Sequence, residues 1–128
     1  MSTPHALIID DNASGAEVLA GLLAEQGISH TAVLDPTRVG DELQKLPKVD
    51  VIFLDLEMPK IDGYQLLSIL RQQLGKSVPI ITYTVHLSEM DTARKMGFDG
   101  FLGKPLDADR FPELIKRILN GKSVWELP

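Results

Sequence analysis

The stretch VIFLDLEMPKIDGYQLL, residues 51–67, carries the fold in miniature. Val51, Ile52, Phe53 and Leu54 form an unbroken apolar run, as expected of a strand covered on both faces. The run stops abruptly at Asp55, and a second acid, Glu57, follows two residues later. Pro59 restricts itself and its predecessor Met58, so the exit from the strand is a stiff turn. Asp62-Gly63 makes a tight passage into a helix over 63–74, which carries Leu66, Leu67, Ile69 and Leu70. Strand, acidic turn and helix therefore follow one another within a short segment.

The same unit repeats outward in both directions. Residues 6–9 read as a first strand, and Asn12 caps a helix to about residue 26. Val18, Leu19, Leu22 and Leu23 give that helix one apolar face, and Gly27 ends it. Residues 29–34 form a second strand. Asp35-Pro36 is an N-cap followed by proline at the first helical position, opening a helix to about residue 46. Residues 79–83 form a fourth strand, Ser88 caps a helix to Met96, and Gly97 closes it. A short fifth strand covers 101–102. Pro112 sits too deep for a helix capped by Asp107, so a turn at 107–110 precedes a last helix over 111–119. One domain over 1–122 is expected, with 123–128 as a short ending or the start of a linker. Strict alternation implies an α/β fold, a doubly wound five-stranded parallel sheet with helices on both faces. Taking the strand order as 2-1-3-4-5, ligands belong at the carboxyl edge of the strands.

The totals narrow the function classes. The chain has 128 residues, enough for one sizeable core, with 44% hydrophobic and 24% charged residues. Its formal net charge is -5 and no basic run occurs, so no nucleic-acid face is expected. There are no cysteines, which excludes disulfides and thiolate chemistry and makes a cytoplasmic setting the default. The N-terminal MSTPHALIIDD has no charged region and only a short apolar stretch, so it is not a signal peptide. No run approaches the length of a membrane span.

The residues that follow each strand carry the chemistry. The first strand ends in Asp10 and Asp11, the third in Asp55, the fourth in Thr84 and the fifth in Lys104. With strands one and three adjacent, three carboxylates crowd together and repel unless compensated. A divalent cation would compensate them, and hard oxygen ligands suit Mg²⁺. One carboxylate then remains able to attack phosphorus. Phosphoryl transfer chiefly needs positioning and neutralised oxygens, which the metal, Lys104 and the Thr84 hydroxyl could supply.

The set LIIDDN, VIFLDLEMPKIDGYQLL, PIITYT and GFDGFLGKP resembles the receiver domain of two-component response regulators (CheY-like) over residues 5 to about 120. The resemblance implies a flavodoxin-like (βα)5 fold and a phosphorylation switch without turnover. Asp55 would be the phosphoacceptor, served by a histidine kinase or histidine phosphotransfer protein. Asp11 and Asp55 would bind Mg²⁺ directly, with the backbone carbonyl of Glu57, and Asp10 largely through water. Thr84 and Lys104 would contact the phosphoryl group. Phe101 would be the aromatic switch that moves inward as Thr84 shifts, relaying the state to the face of the fourth helix, fifth strand and fifth helix. Lys104-Pro105 is often cis in such domains. Glu57 and His86 would border the site and tune water access. Asn12 to Gly15 and Pro105-Leu106 would dock the phosphodonor.

Three other readings compete. An aspartate-nucleophile phosphatase or phosphotransferase usually carries Asp-x-Asp after its first strand, whereas Asp10 and Asp11 are adjacent here. A flavin module needs a phosphate cradle after that strand, and DDNASG begins with two acids that repel phosphate. A phosphorylation-independent scaffold receiver usually lacks one of the five site residues, and none is missing. Phe98-Asp99-Gly100-Phe101 lacks the second acid common in regulators that dimerise through their fourth and fifth helices.

Overall fold

A computed structural model describes residues 3–128; residues 1 and 2 of the expected domain lie outside the described residues. The elements run β1 His5–Ile9, α1 Ala13–Glu25, β2 Ser29–Val33, α2 Val39–Lys45, β3 Val51–Leu54, α3 Gly63–Leu74, β4 Ile80–Thr84, α4 Met90–Met96, β5 Gly100–Gly103, α5 Phe111–Leu119 and β6 Val124–Glu126. All paired strands are parallel, in the order β2-β1-β3-β4-β5-β6. The expected order 2-1-3-4-5 therefore stands, with one addition. Residues 124–126, expected as an ending or linker, form a sixth strand on the edge of β5.

Alternate residues of each central strand face opposite layers. Ala6 and Ile8 of β1 join Leu19 and Leu23 of α1 and Leu114, Ile115 and Ile118 of α5. Leu7 and Ile9 join Val39 and Leu43 of α2, Leu66 and Leu70 of α3 and Ala93 of α4. The sheet is thus covered on both faces, which is why its strands read as continuous apolar runs.

Several local expectations are refined. The Asp35 carboxylate accepts the Thr37 N–H, but Pro36–Arg38 is a 3₁₀ turn and the regular helix starts at Val39. Ser88 lies within a second 3₁₀ turn, Leu87–Glu89, rather than capping α4. Val18 and Ile69, expected on apolar faces, are 59% and 41% exposed. The buried stripe of α1 is Ala16, Leu19 and Leu23, rotated away from Val18. Gly27 at φ 72° and Gly97 at φ 108° end α1 and α4 in the left-handed region where a side chain is strained.

β6 is tied down at several points. Phe101 pairs with Trp125, and both belong to one apolar cluster. The Arg94 guanidinium lies 4.4 Å from the Trp125 ring centroid, and Arg110 reaches Glu126 at 2.9 Å. Gly100 permits the approach: a Cβ there would meet the Val124 carbonyl at 2.7 Å. Among the described residues no helix is long and apolar enough to cross a membrane.

Candidate functional site

Three strand ends turn by the same device. Where the apolar run stops, a side-chain oxygen accepts the backbone N–H two residues ahead, bending the chain away from the sheet. Asp10 Oδ1 accepts from Asn12 at 2.9 Å after β1. Asp55 Oδ1 accepts from Glu57 at 2.9 Å after β3. Thr84 Oγ1 accepts from His86 at 3.2 Å after β4. Asn12 then caps α1 by accepting the Gly15 N–H at 3.0 Å. Because β1 pairs with β3 and β3 with β4, these ends lie side by side. Lys104 arrives from β5, its N–H donating to the Thr84 carbonyl at 2.8 Å, and the Lys104-Pro105 bond is cis as expected.

The carboxylates of Asp10, Asp11 and Asp55 each bring an oxygen to within 4.8 Å of the others. This is an all-oxygen, acidic donor set, suited to a hard divalent cation. Lys104 Nζ stands 3.4 Å from Asp55 Oδ2 and 3.7 Å from Asp10 Oδ2. Asp10 is fully buried and Asp55 is 3% exposed. Burial raises the Asp55 pKa above the usual carboxylate range, and the neighbouring Asp10 pushes the same way. The Glu57 N–H and Lys104 pull against it. Asp11, Asp55, Glu57, Pro59, Val85 and Lys104 line an open cleft of about 630 Å³, with Asn12, Ser14, Gly15 and Val18 on its α1 side. A neighbouring groove over Gly15, Val18, Tyr83, Lys104, Pro105 and Leu106 continues from it. His86 Nε2 lies 3.6 Å from Glu57 Oε1 at the mouth.

All the candidate residues named from the sequence except Phe101 meet at this edge. Phe101 points into the sheet's other side and is fully buried, in the cluster that holds Ala93 of α4. One residue at the site, Tyr83, escaped the sequence reading. The Tyr83 hydroxyl donates to Asp10 Oδ2 at 2.7 Å, and the Tyr83 ring centroid lies 4.5 Å from Lys104 Nζ. Burial and Asp10 push the Tyr83 phenol far above its usual range, so it stays protonated. Gly15, expected at the docking surface, also comes close to the acids: a Cβ there would stand 2.8 Å from Asp10 Oδ2. The signal for Tyr83 was an aromatic ring with a polar tip inside the buried strand PIITYT, which demands a partner.

Comparison with known proteins places these features in context. The family model for the response regulator receiver domain matches residues 6–116. An uncharacterized response regulatory protein of Vibrio cholerae is 37% identical over 120 residues, covering 89% of this chain and 48% of that protein. The osmosensing histidine protein kinase SLN1 of Saccharomyces cerevisiae is 28% identical over 116 residues, covering 85% of this chain and 10% of that one. The chain thus spans half or less of the length of these two relatives. The crystal structure of a two-component response regulator from Clostridium difficile superposes with a TM-score of 0.81 at 28% identity, covering 92% of this chain and 97% of that one.

Proposed function

The chain belongs to the response regulator receiver family, and we propose that it is a phosphorylation switch in which Asp55 accepts a phosphoryl group from a histidine kinase or histidine phosphotransfer protein. The supporting observation is the convergence of the Asp10, Asp11 and Asp55 carboxylates within 4.8 Å, with Lys104 3.4 Å from Asp55. In the transfer, an Asp55 oxygen forms a bond to phosphorus as the donor's nitrogen–phosphorus bond breaks. The Glu57 N–H holds Asp55 Oδ1, which leaves Oδ2 on the Lys104 side as the attacking oxygen. Lys104 follows the charge that moves onto the phosphoryl oxygens. Thr84 accepts a hydrogen bond from His86, so its own O–H remains available to donate to the phosphoryl group.

Mg²⁺ held by Asp11, Asp55 and the Glu57 carbonyl, and by Asp10 through water, would neutralise charge among the acids and on the transferring group. The apolar rim of Val18, Val85 and Leu106 beside the cleft fits the docking of a helical donor. Thr84 and Phe101 relay the phosphorylated state to the face formed by α4, β5 and α5. The protein modifies itself and loses the group by hydrolysis, in the cytoplasm, without turning over an external substrate.

Mass spectrometry after treatment with acetyl phosphate tests this reading. Mg²⁺-dependent addition of one phosphoryl group to the wild type, and none to Asp55→Asn, is expected. Undiminished labelling of Asp55→Asn removes Asp55 as the acceptor. Steady turnover of an external phosphoester would favour the phosphatase reading instead.

A further inference from the structure

Asp10 is a fully buried carboxylate with protein contacts on every side that matters. Asn12 donates to Oδ1, and the Tyr83 hydroxyl donates to Oδ2 at 2.7 Å. Gly15 of α1 leaves room for it, since a Cβ there would stand only 2.8 Å from Oδ2. Tyr83 is itself rigid. It is fully buried on the central strand β4, and its ring meets Phe53 edge-on, centroids 6.3 Å apart at 88°. A hydroxyl at the end of such a ring is a fixed donor, unlike one on a short rotating side chain. It adds no positive charge, so it orients Asp10 without competing with a cation for it. The ring face lies 4.5 Å from Lys104 Nζ and carries that ammonium beside Asp55.

We propose that Tyr83 is a positioning residue of this site: its hydroxyl fixes Asp10 for the metal, and its ring seats Lys104. The inference rests on the reading of the acidic cluster as a Mg²⁺ site. Partners that orient a metal ligand typically govern affinity about tenfold or more. Tyr83→Phe keeps the ring and removes only the donor.

Calorimetric titration of the unphosphorylated protein with Mg²⁺ provides the test. About a tenfold weaker affinity is expected for Tyr83→Phe. In an Asp10→Asn background the same substitution is expected to change nothing, because the effect runs through Asp10. Labelling by acetyl phosphate in Tyr83→Phe is expected to recover its maximal rate at high Mg²⁺, with the loss confined to the Mg²⁺ concentration needed. Tyr83→Met, which also lacks the hydroxyl, serves the titration if the phenylalanine variant does not fold. Wild-type protein that binds no Mg²⁺ overturns the metal-site reading and this inference with it. Wild-type binding with equal affinity in the hydroxyl-free variant, or an equal loss in the Asp10→Asn background, overturns this inference alone.

Discussion

Asp55 shows how a reactive residue is held at some cost to the fold. Its pKa is raised in the folded protein, chiefly by burial, so folding favours the protonated acid. The unfolded chain releases that proton near the ordinary carboxylate value of 3.8. Its contribution to stability is thus present below that value and is lost as pH rises through the folded-state pKa. Asp55→Asn is therefore expected to raise the melting temperature by several degrees at neutral pH. The gain should shrink as pH falls through the folded-state pKa and be gone below about 3.8. Thermal melts at both pH values check this; an unchanged or lowered neutral melting temperature contradicts it. Thr82 offers a second case, since its buried hydroxyl has no hydrogen-bond partner among the described residues. Thr82→Val exchanges that hydroxyl for a methyl group and is expected to stabilise by about 1 kcal/mol in urea unfolding. At this scale Asp10, Asp11, Asp55, Thr84 and Lys104 were legible because each stands where an apolar run stops. Tyr83 was not, because its partner Asp10 lies 73 positions away in the chain.

The elements whose ends the sequence marked strongly were legible. α3 occupies the expected span between Asp62, whose carboxylate accepts the Tyr64 N–H, and Gly75. α5 begins at Phe111 because Pro112 then falls in the first turn, where its missing N–H costs nothing. The starts of α2 and α4 were harder, because tight 3₁₀ turns precede them; Asp35 caps the first of these turns, and Ser88 lies inside the second. β6 was illegible for a different reason. Three residues, Val124, Trp125 and Glu126, are too few to show a period. Their pairing depends on the open edge of β5 and on Gly100, which no local pattern reveals. Trp125 is gripped by Arg94 and the Phe101 cluster, so Trp125→Ala is expected to cost about 2 kcal/mol in denaturant unfolding. A loss below a few tenths of a kcal/mol would mean that β6 adds little to the sheet.

For the whole molecule, alternation of strand and helix settled the layered sheet, and topology then delivered the site. Residues from four separate strand ends meet because parallel pairing puts every carboxyl end on one edge. On the proposed metal-site reading, a cation would relieve the repulsion among three carboxylates at that edge. Mg²⁺ at 100 times its dissociation constant is expected to add about 2.7 kcal/mol of stability, seen as a higher melting temperature. Asp55→Asn should gain less from the same cation, and an equal gain would place the cation elsewhere. The pairing of Phe101 with Trp125 has a practical consequence as well. Trp125 is the chain's single tryptophan, so the indole emission of this chain comes from one address. That address abuts the aromatic side chain whose movement would accompany phosphorylation, and a cation lies over its ring. On the proposed switch reading, a change in Trp125 emission on phosphorylation is expected, readable in real time without a label.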